Sequence, residues 1–184
     1  MPDYRRAWMS GGTFFFTVVT YERYPVFENQ AAVDLLRVCF DLVAREQAYI
    51  MDAIVILPDH LHCIWTLPDH DYDYSTRWKR VKATFTRRYT GGKAEVVSES
   101  MLKKGERGVW QRRFWEHRIR DQEDFNRHCD YIHYNPVKHG LVSLPGEWKH
   151  SSLSRFVERG LYPESWGGAV RDEVRDEVRA MDLE

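Results

Sequence analysis

Cysteine is scarce in this 184-residue chain. The three present, Cys39, Cys63 and Cys129, sit inside apolar patterns and show no CxxC spacing. An odd count without paired spacing excludes a disulfide framework and predicts buried, reduced thiols in a cytoplasmic protein. Long apolar runs are missing as well. The most apolar stretch, Phe14 to Val19, is strand-sized, well short of the ~20 residues that a membrane helix needs. The N-terminal run Met1-Pro2-Asp3-Tyr4-Arg5-Arg6 has no apolar core of a secretion signal. Net charge is nearly absent, at −1, but that balance hides a division. Residues 77–120 hold 14 Lys and Arg against 4 Asp and Glu, whereas residues 1–76 hold 5 against 11 and residues 121–184 hold 8 against 13. A basic segment interleaved with aromatics between acidic flanks points to a polyanionic partner, and nucleic acid is the usual one.

What is present fits one domain with a substantial core and extensions. Gly11-Gly12 leads into Thr13 to Thr20, an aromatic and β-branched run that predicts a central first strand, apolar on both faces. Val33, Leu36, Cys39/Phe40 and Val43 recur at three and four residues and predict a helix from about Asn29 to Glu46. Asp52 to Leu57 reads as a second strand, Pro58-Asp59 as a tight connection, and His60 to Leu67 as an antiparallel third. A second helix, capped by Ser75, runs to about Tyr89 on the stripe Trp78, Val81, Phe85 and Tyr89, with Arg77, Lys79, Arg80, Lys82, Arg87 and Arg88 around it. Residues 93–107 read as a basic loop, and Val109 to Ile119 as an irregular fourth strand. Asp121 caps a third helix that Pro136 closes at about Asn135. The fold expected is α+β: a ferredoxin- or RRM-like antiparallel sheet of order β-α-β-β-α-β-α, with helices on one face.

The chemistry gathers in two stretches. In Leu57-Pro58-Asp59-His60-Leu61-His62-Cys63, the strand period of two points both imidazoles into one space and turns Leu61 and Cys63 the other way. Paired histidines on a strand occur with and without metal. On the third helix, Tyr131 and Asn135 lie four apart and share a face, with His128 beside them and Phe125, Cys129 and Ile132 on the core stripe. The topology brings that helix to the histidine strand. Two imidazoles and the amide oxygen of Asn135 would leave positions open on Mg²⁺ or Mn²⁺ for a phosphate oxygen, and Tyr131 would supply the nucleophile.

These stretches resemble the REP-associated tyrosine transposases, a branch of the single-tyrosine HUH endonucleases. The matching residues are Tyr4-Arg5-Arg6, Gly11 to Val18, Leu57 to Trp65, Phe114 to Arg120, Asp130 to Gly140 and Gly160-Leu161-Tyr162-Pro163. The resemblance covers about residues 4–168 and leaves the loop 93–107 unplaced. It implies that His60, His62 and Asn135 hold the metal and that Tyr131 attacks, forming a 5′-phosphotyrosine and releasing a 3′-hydroxyl. It further implies cleavage and rejoining of single-stranded DNA at REP-type hairpins with a short guide tetranucleotide. A monomer working in the bacterial cytoplasm, at the nucleoid, is implied too.

For the DNA strand, candidate contacts are Arg5, Arg6, Lys79, Lys82, Arg87, Arg88, Trp110, Arg112, Arg113, Trp115, Arg118 and Lys138. The expected division is a catalytic domain over residues 1–142 and a tail over 143–184 that packs on or near it, the last ~15 residues forming a frayed helix. Two other functions compete. One is a non-catalytic RRM-like module that binds single strands with its sheet aromatics. The other is a zinc hydrolase in which water attacks and no protein–DNA adduct forms.

Overall fold

The structure, a computed structural model, describes residues 11–90 and 108–167. Arg5, Arg6, the 93–107 loop and the frayed-helix expectation therefore lie outside the described residues. Strands β1 (Thr13–Val19), β2 (Ile50–Ile56), β3 (His60–Thr66) and β4 (Trp115–Arg118) form one antiparallel sheet in the order β2-β3-β1-β4. The inner pair, β1 and β3, is buried along its whole length. That agrees with the apolar, two-faced reading of Thr13 to Val19. Gly11 makes the entry possible. A Cβ there would lie 1.7 Å from the Pro68 carbonyl oxygen, so no other residue fits where β1 meets the end of β3.

Helices α1 (Gln30–Glu46) and α2 (Tyr74–Arg88) cover one face of this sheet. Leu61, Cys63 and Trp65 of β3 and Phe14, Phe16 and Val18 of β1 meet them. Trp65 stacks on Trp78 at 4.3 Å and 13°, the kind of ring pair worth roughly 1 kcal/mol beyond its buried area. Asn29 caps α1 by accepting the Ala31 amide. The cap of α2 is Asp73, which accepts the Thr76 amide at 3.0 Å. Ser75, expected in that role, is already inside the helix because Asp73 offers a carboxylate two residues earlier.

The sheet keeps its α+β class, but its helices do not share one face. Helix α3 (Gln122–Lys138) lies on the opposite side, over Phe15, Ala53, Val55 and Ile64. The physical reason is that both faces of β1 and β3 carry apolar residues, and each face needs a cover. Pro136 does not end this helix either. Lacking an N–H, it leaves one ladder bond unmade, yet the turn continues and the His139 amide still reaches the Asn135 carbonyl at 3.0 Å. Gly140, at φ +67, supplies the left-handed stop, its amide bonding to Val137 O. The fourth strand is shorter than the 109–119 run. Trp110 makes a single bridge to Thr20 and turns into the α1/α2 core.

Residues 148–152 lie along the free edge of β2. Trp148 Nε1 donates to Ile56 O, the Ile56 amide bonds to His150 O, and Ser152 exchanges bonds with Ile54. Helix α4 (Leu153–Glu158) follows and packs against α3 with Tyr162. The edge of β2 is thus covered rather than left open.

Candidate active site

His60 and His62 stand on the α3 face of β3 with ring centroids 4.9 Å apart. They are 1% and 0% exposed. Each is gripped through Nδ1. The His60 ring donates to Asp59 Oδ1 at 2.5 Å, and His62 Nδ1 pairs with Thr17 Oγ1 at 2.9 Å, its direct register partner on β1. Burial alone would push the Asp59 carboxyl up. Hydrogen bonds and charge from His60 and Arg23 outweigh it and hold the carboxyl below its ordinary value. Anchoring Nδ1 fixes each ring plane and leaves Nε2 as the inward-facing atom, the arrangement that outer partners give to metal-binding histidines. Nε2 of each ring is buried and makes no hydrogen bond.

Opposite them, Tyr131 is fully buried, with its ring 5.1 Å from His62 and 5.9 Å from Phe15. Two turns further on, His139 sets its ring 5.1 Å from His60. Asn135 lies between these two on the same helix line, and therefore opposite the gap between the imidazoles. It is 0% exposed, and neither Oδ1 nor Nδ2 finds a hydrogen-bond partner. A buried amide left in that condition costs roughly 1–3 kcal/mol. Two imidazole nitrogens and an amide oxygen form a donor set that fits a small divalent cation and leaves coordination room for phosphate. Because α3 continues past Pro136, Lys138 sits seven residues beyond Tyr131 on the same face. Its Nζ lies 3.4 Å from the Tyr131 hydroxyl and 5.1 Å over the ring.

A second cluster adjoins the first. His117, Asp124 and His128 bring one possible ligand atom each within 4.8 Å of one another. Asp124 also accepts the Arg120 amide and guanidinium, and Arg127 lies 3.8 Å away. Burial raises this carboxyl, but bonds from Arg120 and His117 overcome that and hold it well below the usual carboxylate range. With two guanidinium groups already balancing the charge, the cluster works as a hydrogen-bonded joint between β4 and α3. Burial meanwhile pushes the His128 pKa down to about 4.

The expected DNA contacts divide by burial. Lys79, Arg87, Arg88, Arg112, Arg113, Trp115 and Arg118 are exposed. Lys82 is committed to the fold: burial lowers its pKa to about 8, and its Nζ donates to Gln111 O at 2.9 Å. Trp110, 9% exposed, packs on Phe27 and Phe85 as core rather than offering a face. Arg77, one of the basic residues on α2, is buried, with bidentate bonds to Asp71 and further bonds to backbone carbonyls of Gln47, Ala48 and Asp73. Sequence reading missed Asp59, Thr17, His139 and the placement of Lys138 over Tyr131. The HxH period points to a neighbouring strand, but only the β1–β3 register names Thr17.

Fold and site together define a class, a transposase that sets a tyrosine-bearing helix against a histidine pair on an antiparallel sheet. The chain belongs to the family described as "Transposase IS200 like", which matches residues 10–135. It is 42% identical over 173 residues to the REP-associated tyrosine transposase of Escherichia coli strain K12, covering 94% of each chain. A relative from Haemophilus influenzae is 40% identical over 178 residues, 97% of this chain and 100% of its own. Among solved structures, a REP-associated tyrosine transposase bound to a REP hairpin matches with a TM-score of 0.72 and 41% identity, over 94% of both chains. Among the described residues, no helix is long and apolar enough to cross a membrane.

Proposed function

We propose that this transposase cleaves and rejoins single-stranded DNA beside a REP-type hairpin, with Tyr131 as nucleophile. The observation that carries this reading is Tyr131 packed on His62, with the unsatisfied amide of Asn135 one turn away and Nε2 of His60 across from it. In the step proposed, the Tyr131 oxygen bonds to the scissile phosphorus and its bond to the 3′-oxygen breaks. The phenol proton leaves to solvent, and the departing strand takes up a proton as a 3′-hydroxyl. The 5′-phosphotyrosine retains the bond energy, so a second 3′-hydroxyl reseals the strand without a nucleotide cofactor.

His60, His62 and Asn135 would hold Mg²⁺ or Mn²⁺, which would polarise the phosphate and balance its charge. Asp59 and Thr17 keep the imidazoles aimed, and Lys138 offers its ammonium to the charge that gathers at the tyrosine oxygen. The hairpin partner is supported by the 41%-identical structure bound to a REP hairpin. A short guide tetranucleotide, a monomer, a bacterial cytoplasmic and nucleoid location, and a division at residues 142/143 complete the proposal. The contacts of residues 148–155 along β2 support a tail folded onto its own domain.

The rival reading as a sheet-surface binding module loses the central strands as a platform, because α1 and α2 cover one face of β1 and β3 and α3 the other. Hairpin DNA labelled in turn at each end, incubated with Mg²⁺ and run on a denaturing gel, tests the proposal. One label should shift into a protein-linked band while the other marks a fragment extendable by polymerase. Free 5′-phosphate ends with no protein-linked band would favour the zinc hydrolase, and intact DNA would leave only binding.

A further inference from the structure

Trp115 is 41% exposed, a large aromatic on the edge strand, and register puts it on the catalytic face. Residues directly opposed in antiparallel strands share a face. Thr17 is opposed to His62 on one side and to Trp115 on the other. Trp115 therefore lies two strand spacings, roughly 10 Å, from His62 on the same side of the sheet. One ring separates it from the reacting groups. Phe15 touches Trp115 edge-on at 5.8 Å, stacks against His62 at 5.6 Å and meets Tyr131 edge-on at 5.9 Å.

The indole is also held in place from behind. It lies parallel to His117, at 6.0 Å and 6°, and His117 lies parallel to His128, at 4.8 Å and 12°. His117 Nε2 is fixed by Asp124 at 2.9 Å. A ladder of three planar rings, pinned by a buried carboxylate at its base, thus ends in an open aromatic surface one ring away from the tyrosine. Exposed Arg112 and Arg113 directly precede the strand and supply positive charge for a sugar–phosphate backbone. Oligonucleotide-binding sites combine these two features, a flat aromatic for a base and cations for its phosphates.

We propose that Trp115, backed by His117 and His128, is the stacking platform for the base flanking the scissile phosphate. Resting on the strand-cleavage reading above, it makes Trp115 the residue that sets which phosphate along the single strand reaches Tyr131. Stacking is tolerant of base identity, so the platform fixes register rather than sequence.

The test uses full-length protein and hairpin DNA carrying 2-aminopurine on either side of the scissile phosphate. Wild type should quench the probe at one of the two positions. Trp115→Ala should lose that quench and form adduct about ten-fold more slowly or worse, with hairpin affinity within two-fold and the protein still fully folded at the assay temperature. Trp115→Phe should restore most of the adduct rate. Unaltered quenching and adduct rate in Trp115→Ala would overturn the platform. Absence of adduct from wild type would instead refute the cleavage reading, and the quench comparison would still decide the platform by itself.

Discussion

Lys138 holds its ammonium 3.4 Å from the Tyr131 hydroxyl and 5.1 Å above the same ring. At 3.4 Å the contact is electrostatic more than a short hydrogen bond. Negative charge gathers on the tyrosine oxygen as it attacks, and again when it leaves on resealing. A fixed cation there stabilises both passages. Lys138→Met should slow adduct formation about 10- to 100-fold while hairpin affinity changes only a few-fold, and Lys138→Arg should recover part of the rate. Single-turnover kinetics with saturating protein separates the two effects. Equal losses in binding and rate would make Lys138 a backbone contact only.

Asp59 and Thr17 act on the imidazoles from behind. Removing such an outer partner typically costs 10–100-fold in metal affinity or activity. Asp59→Ala should therefore raise the Mn²⁺ concentration needed for half-maximal cleavage by about that factor. His60→Ala or His62→Ala should abolish cleavage at every concentration. If Asp59→Ala titrated like wild type, the His60 hydrogen bond would have no role in shaping the site.

Acid should weaken the fold through His128. Burial lowers its pKa to about 4 against an ordinary 6.5, outweighing the hydrogen bond and charge of Asp124 that act to raise it. Between those values the unfolded chain binds a proton that the folded one refuses. Stability is therefore complete above pH 6.5 and declines as pH falls toward 4. By pH 5 the loss from this residue is about 2 kcal/mol, and Asp124, held low, adds its own loss at lower pH still. Urea unfolding at pH 7.5 and pH 5 should show a smaller drop in His128→Gln than in wild type.

Tyr162 ties the tail to the catalytic helix by donating to the buried carboxylate of Asp130, next to Tyr131. Its ring also meets His133 and Trp166. Tyr162→Phe keeps the rings and removes the donor, so unfolding free energy should fall by about 1–3 kcal/mol in urea titrations. No change would mean that apolar packing alone holds the tail.

Much of this architecture was legible in the residues. The period of two in His60 and His62 and the aromatic, β-branched run of Thr13 to Val19 read directly as two-faced strands, and the four-residue spacing of Tyr131 and Asn135 reads as one helix face. Each is a local periodicity, expressed within a few residues. The side of the sheet on which α3 packs was harder to see, since it depends on which apolar face remains after α1 and α2 are placed. Pro136 misleads for a related reason. A proline near a helix end is read as a stop, but here the buried helix tolerates the missing bond and Gly140 sets the end. That extra turn brings Lys138 over Tyr131. Thr17 and Trp115 acquire their places only through strand register, which no single segment encodes.

The most direct measurement maps the covalent link. After reaction with hairpin DNA, nuclease trimming and tryptic digestion, the peptide His128 to Lys138 contains both Tyr131 and Tyr134. Tyr134, three residues further on, turns its ring toward Trp166 instead. Fragmentation should place the nucleotide mass on Tyr131, and Tyr131→Phe should form no adduct while binding hairpin DNA as wild type does. A nucleotide on Tyr134, or wild-type adduct levels from Tyr131→Phe, would contradict the account.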